Sequence, residues 1–337
     1  MSKKSNIHLF VFTGALLCMA NSAKAIGVYD NNISASNINM LTDTFMSYTN
    51  YGEKMADLFE NRVMYGSMSR FDEYGDDGTT VKNYGLQKQS NNTFIKDIWA
   101  NANHVNGNIH YGNNISAHGR FNLATIGANT KPIDLKYGRL SFGAFASYIN
   151  SKITDTKSNG DVVGIFTHYK YRNFGARTLT NIGSLNNNSG NSDYNNSWFN
   201  VATDAYANLK IDETLYFKPS VYVGYTWVSS DDLYINGNHI YSSDFNFFNI
   251  APGISFIKEI AHNWYGTFSA KYVAHFMGND DIHVGNTTID GLDIDNHTDV
   301  GIDLEYNLKH FVIGGKVHKQ MGGIDGWNSH INVKYVF

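Results

Sequence analysis

Cysteine, proline and charge are all scarce in this 337-residue chain. It has one cysteine and three prolines, and charged residues make up 17% of it, against about 25% in an ordinary globular protein. Past the N-terminus it also lacks any apolar run of the ~20 residues that a membrane-spanning helix needs. Each shortage excludes something. A lone Cys18 builds no disulfide, and it lies in a segment expected to be removed, so the mature chain has no thiol nucleophile and no cysteine metal site. A net charge of −4 leaves no basic footprint for general nucleic-acid binding. There is no Gly-x-Ser-x-Gly elbow, no phosphate loop and no His-Glu-x-x-His motif among the 13 histidines. No cofactor is called for.

The N-terminus reads as a targeting segment. Lys3 and Lys4 are followed by a stretch from Ile7 to Ala20 that is apolar except for His8 and Thr13, and then by Ala23-Lys24-Ala25. A positive region, a short apolar region and a small-x-small site form a secretory signal peptide over residues 1–25. Leu17, rather than a small residue, precedes Cys18, which argues against a lipoprotein signal.

What the rest of the chain has is aromatics, with 22 Tyr and 21 Phe, set in a period of two. Trp264, Gly266, Phe268, Ala270, Tyr272, Ala274 and Phe276 alternate with Tyr265, Thr267, Ser269, Lys271, Val273 and His275. Val300, Ile302, Leu304 and Tyr306 alternate with Gly301, Asp303 and Glu305, and Ile331, Val333, Tyr335 and Phe337 with Asn332 and Lys334. That period places each set on one face of a strand. About twelve such segments follow, near 94–104, 115–130, 138–151, 160–172, 174–186, 196–211, 214–230, 244–260, 263–282, 292–309, 310–320 and 326–337. Many exceed the 9–11 residues that cross a bilayer at a tilt. Counting back from Phe337, short connections alternate with longer ones rich in Asn, Gly, Ser and Asp, at 279–291, 229–243, 185–196 and 152–161. Short turns on one side and long loops on the other mark an outer-membrane barrel. A secreted β-sandwich is the competing reading, but strands of this length and regularity are uncommon there. Aromatics near strand ends, such as Tyr148, Tyr169, Tyr171, Trp227 and Trp264, suit the interfacial girdles of such a barrel.

Residues 26–93 differ in period. Ile38, Leu41, Phe45, Tyr48, Met55, Phe59 and Val63 fall at steps near three and four, which predicts an amphipathic helix over about 34–65. A polar linker follows, with its turn at Gly75-Asp76-Asp77-Gly78. The barrel then occupies 94–337.

A helix followed by twelve strands that end in Phe resembles the translocator domain of autotransporters, the type V secretion barrels, over roughly residues 34–337. The opening phrase Phe94-Ile95-Lys96-Asp97-Ile98-Trp99, the third-strand phrase Arg139 to Tyr148 and the closing Ile331 to Phe337 carry the resemblance. It implies an all-β, twelve-stranded antiparallel transmembrane barrel in the cell outer membrane, with the helix in its lumen. It further implies that Phe337, with Tyr335 and Val333, forms the signal read by the barrel-assembly machinery. Periplasmic chaperones and membrane lipid are the other expected partners, and the barrel is expected to be a monomer. Only residues 26 to about 33 precede the helix, so the expected translocator has almost no passenger.

Asp204, Lys218, Lys271, Asp303, Glu305, Lys316 and Lys334 are the candidate lumen-lining charges. In a barrel, inward charges set selectivity or hold a plug, and the helix offers Glu53, Lys54, Asp57, Glu60 and Arg62 as partners. A second cluster is Asp281-x-His283 with Asp293-x-Asp295, each pair on one strand face if extended. If 285–289 turns as a hairpin, the two pairs approach each other. The favoured reading is an ordinary solvated loop; the alternatives are an oxygen-ligand cation site and the Asp/His and Asp/Asp pairs of an omptin-like surface protease, whose own pairs come from opposite sides of the barrel. Translocation or surface presentation is the leading function. The alternatives are a passive porin or small-solute channel plugged by the helix, and then the protease.

Overall fold

The computed structural model of the chain describes residues 94–111, 115–153, 156–188, 193–229, 233–235, 238–242, 245–277, 282–284, 287–289, 295–308 and 310–337. The signal peptide, the helix at 34–65 and the polar linker lie outside the described residues.

Alternating side chains make long strands. They are β1 (Ile95–Tyr111), β2 (Ile115–Thr130), β3 (Arg139–Ile153), β4 (Thr156–Tyr171), β5 (Phe174–Asn188), β6 (Asp193–Ala207), β7 (Leu215–Val228), β8 (Phe245–Ala261), β9 (Trp264–Met277), β10 (His297–Asn307), β11 (Phe311–Gly322) and β12 (Ile324–Val336). Each pairs antiparallel with its sequence neighbours, and β1 pairs with β12 from Asp97↔Val336 to Ile109↔Ile324. The twelve strands therefore close into a barrel with no free edge, each strand laddered on both sides. Phe337 follows the last strand and ties it down, its N–H donating to the Lys96 carbonyl at 3.1 Å.

The start of β1, the C-terminus and the short turns share one end of the barrel. Two-residue hairpins occur at Arg172-Asn173 and His262-Asn263, with Arg172 (φ 52°) and Asn263 (φ 64°) in the left-handed region. Asn tolerates that conformation better than most residues. At the β6–β7 turn, Asp212 accepts hydrogen bonds from the Thr214 and Leu215 amides, both at 2.8 Å. At the far end, residues 233–235, 238–242, 282–284 and 287–289 form a separate four-stranded sheet from the two long loops.

Two of the four expected long loops are strand instead. Residues 156–161 belong to β4, and most of 185–196 belongs to β5 and β6. Likewise β1 continues past 104 to Tyr111, while β6 stops at Ala207. The physical reason lies in which face is apolar. Beyond His104 in β1, Asn122 in β2 and Asn150 in β3, the outward residues turn polar while Val105, Ile109, Phe121, Ile149 and Ile153 face inward and are buried. These upper hairpins stand above the apolar belt as a water-facing sheet.

Inward glycines make room for rings. Across the ladders Gly127 faces Trp99, Gly143 faces Phe166, Gly164 faces Phe145, Gly175 faces Tyr206 and Gly183 faces Trp198. A Cβ on Gly175 would come within 2.3 Å of the Tyr206 ring, so the ring lies flat over the bare backbone.

Candidate functional site

The lumen has two chemically different walls. Strands β1–β5 present Trp99, Val105, Phe121, Leu123, Phe145, Ile149, Val162, Phe166, Leu179 and Leu185, all buried in one apolar cluster that Trp198 of β6, Val228 of β7, Phe247 of β8 and Ile324 of β12 join, with buried polar residues such as Asn101, Thr125, Ser147 and Asn181 between them. Strands β10–β12 present Asp299, Asp303, Glu305, Lys316, His318, Gln320, Asn328, His330, Asn332 and Lys334, also buried. Parity places these sets: their members alternate with outward neighbours, many of them exposed, such as Ile302, Val317 and Ile331.

All seven lumen candidates lie on inward-parity positions. Asp204, Lys218, Asp303, Glu305, Lys316 and Lys334 are buried, and Lys271 is half-buried. They fall into separate groups. On the β5–β7 wall, Asp204 Oδ2 sits 3.3 Å from Arg177 Nη1. The Arg177 guanidinium and the Lys218 ammonium lie 4.2 Å and 4.5 Å from the Tyr206 ring centre. His168 closes this group with a 2.7 Å hydrogen bond to the Tyr206 hydroxyl. On the opposite wall, Asp303 faces Lys316 across the ladder and Asp299 faces Lys271. His318 bridges Asp299 and Asp303, its Nε2 lying 3.2 Å from Asp303. Its ring covers Gly301, where a Cβ would fall inside the imidazole. Higher up, Asn249, His275, His297 and Gln320 form a polar chain, with 2.9 Å between His275 Nδ1 and Asn249 Oδ1 and 3.2 Å between the two histidines. At the β12–β1 seam the Asn101 amide nitrogen reaches His330 at 2.8 Å.

Arg177, Asp299, His318 and His297 are absent from the candidates drawn from sequence. Asp299 shares parity with Asp303 and Glu305, so that signal was present in the pattern. Arg177 alternates in register with Gly175, Leu179 and Asn181, a mixed set that hides a charged position.

Of the acidic-loop candidates, only His283 and Asp295 fall within the described residues. Residues 282–284 do pair with 287–289, but His283 faces Thr288 on one side and Tyr241 on the other. Asp295 lies outside that hairpin, exposed, with its amide donating to the His110 carbonyl at 3.4 Å near the top of β1. Asp281 and Asp293 lie outside the described residues. Among the described residues, no group of three or more His, Cys, Asp or Glu is placed to hold a metal.

At the other end, Val333 and Phe337 are exposed on the outer wall beside Tyr335. The Tyr335 ring meets Phe337 edge-on at 5.1 Å and Phe311 at 5.0 Å. With Trp264 stacked on Tyr306 at 4.6 Å, these rings form a girdle at the end that carries the chain terminus.

Comparison with known proteins agrees with this geometry. The Autotransporter beta-domain family model matches residues 98–317. The structure is similar to the β domain of the Bordetella autotransporter BrkA, with a TM-score of 0.61 at 15% identity, covering 73% of this chain and 100% of that one. It is also similar to the transport unit of AIDA-I from Escherichia coli, with a TM-score of 0.60 at 14% identity, covering 75% and 93% of the two chains. The translocator domain of NalP from Neisseria meningitidis matches at a TM-score of 0.55 and 10% identity, covering 74% and 90%. No curated protein sequence matches the chain. At these identities the structures establish the fold, and the family match over most of the chain establishes the rest: this chain belongs to the autotransporter β-domain family and forms an outer-membrane barrel.

Proposed function

We propose that this barrel is a translocator whose lumen is built to hold an amphipathic helix of its own chain, and that it carries or displays polypeptide at the cell surface without catalysing a reaction. The observation that carries this reading is the uneven lumen: β1–β5 carry most of the buried apolar cluster, with polar residues between its members, whereas β10–β12 carry a dense set of buried charges and contribute only Ile324 to that cluster. Neither a water-filled pore nor a fully packed core needs that division. An amphipathic helix does, and the segment 34–65 offers a stripe from Ile38 to Val63 with Glu53, Lys54, Asp57, Glu60 and Arg62 beside it. A helix is about 10–12 Å across. Eight strands are filled by their own side chains and sixteen leave a channel, so twelve suit a single helix.

An epitope tag placed ahead of residue 34 tests the function. Protease treatment of intact cells is expected to remove it, and a tag cleaved only after permeabilisation would contradict surface presentation. In planar bilayers, deletion of residues 34–65 is expected to raise conductance, and unchanged conductance would reject the lumenal helix. We further propose that Phe337, with Tyr335 and Val333, engages the barrel-assembly machinery after delivery by periplasmic chaperones. Removing Phe337 should then slow assembly in cells while leaving refolding of purified chain into lipid unchanged.

A further inference from the structure

We infer that the outer face of β2–β4 holds a phosphorylated, multiply acylated lipid of the outer leaflet. The outward residues there form layers fixed by the ladder. Ala124 faces Tyr148, the next layer up is Asn122–Asn150–Asn159, and above it Arg120 faces Lys152, which faces Lys157. Three cations on neighbouring strands, about 4.8 Å apart, repel one another. All three are exposed, and none of the described carboxylates forms an ion pair with them. The nearest outward carboxylate on β4 is Asp161, a full two layers below beside Tyr148. An uncompensated row of this kind calls for an anion with more than one negative oxygen.

Its position identifies the anion as a lipid. The row stands about 13 Å along the strands above Tyr148, and Lys and Arg stems can reach down to the edge of the apolar belt. It lies at the end opposite Phe337 and the short turns, which is the outer-leaflet side. Below the row on β2 and β3, and extending sideways across β1 to β10, the outer wall is dented instead of convex. An open groove of about 800 Å³ runs from Ile302 and Leu304 past Gly315 and Ala102 to Ala124 and Tyr148, and its lining is mostly apolar. Small side chains at Ala102, Ala124 and Gly315 line the dent between the larger Ile302, Leu304, Val317, Ile331 and Tyr148. Acyl chains fill such a groove. His104 and Asn122, hydrogen-bonded at 2.7 Å, with Asn150 beside them, offer polar contacts at its upper rim to the sugar or glycerol part of a headgroup.

The test is titration of the full-length, delipidated protein in detergent micelles with fluorescent diphosphorylated lipid A and with the same lipid after dephosphorylation. The wild type is expected to bind the phosphorylated form at least tenfold more tightly. Arg120→Gln/Lys152→Gln/Lys157→Gln is expected to remove that preference, and Ala124→Trp, which fills the groove, to weaken both lipids. Equal binding of the two lipids by the wild type would overturn the proposal, as would an unchanged preference in the triple variant. Heat-modifiable gel mobility reports whether each variant is folded. If the triple variant does not fold, Lys152→Gln and Lys157→Gln singly are expected to lose severalfold preference each, and two unchanged singles would overturn the proposal.

Discussion

The wall made by β1–β6 and the wall made by β9–β12 share a backbone plan but are written in different chemistry. In the first, strands of 15–17 residues rise past the bilayer, polar outside and apolar inside above the belt. In the second, strands of 11–14 residues carry apolar side chains outward along most of their length and charges inward. The difference teaches that a barrel strand has no fixed apolar face. Each face follows its own surroundings at each height, whether lipid, water or the contents of the lumen.

The strongest test of this comparison is on the tall wall. Trp198 is 2% exposed, lies over Gly183 and donates to Asn181 Oδ1 at 3.1 Å. Trp198→Ala is expected to cost about 3–5 kcal/mol in urea unfolding from lipid vesicles, whereas Asn195→Ala, on the outward face nearby, should stay within about 0.5 kcal/mol. Comparable losses from both would erase the distinction between faces. Next comes the lipid face of the short wall. Ile302→Arg, in the belt, is expected to cost about 2–4 kcal/mol, and Asn122→Arg, at the upper rim, about 0–1. A smaller effect sharpens the picture outside the membrane. The Thr214 amide, then the Leu215 amide and the Thr214 hydroxyl, hold the Asp212 carboxyl below its ordinary range. A depressed carboxyl stabilises the turn above its unfolded pKa and loses that contribution as pH falls through the folded value. The protection of the Thr214 and Leu215 amides, taken relative to their intrinsic exchange rate at each pH, should therefore be steady from neutral pH down to about 4 and fall below it, a change that is absent in Asp212→Asn.

Much of this was legible in the sequence. The period of two located all twelve strands, because lipid outside and polar groups inside write an unbroken alternation in the belt. Where the strands leave the belt the alternation continues with its polarity exchanged. A reading that follows one apolar face loses it there: the first strand was expected to end at 104, beside the exchange at His104 and Val105. For the same reason the Asn- and Ser-rich tops of β4, β5 and β6 read as loops. The charged lumen wall was readable from Asp303, Glu305, Lys316 and Lys334, whose outward neighbours are plainly apolar. Arg177 was not, since apolar Leu179 shares its face. The cation row was hidden as well, because Arg120, Lys152 and Lys157 become neighbours only through the ladder.

The most direct measurement is labelling of single-cysteine variants on intact cells with a membrane-impermeant maleimide. The exchange of faces predicts that Arg120→Cys and Asn195→Cys, at the outward tops of β2 and β6, are labelled. Ile302→Cys and Val163→Cys, equally exposed on the outer wall but within the apolar belt, should stay unlabelled until the membrane is dissolved. Protection of Arg120→Cys and Asn195→Cys, or labelling of Ile302→Cys on intact cells, would contradict the placement of the bilayer on which this account rests.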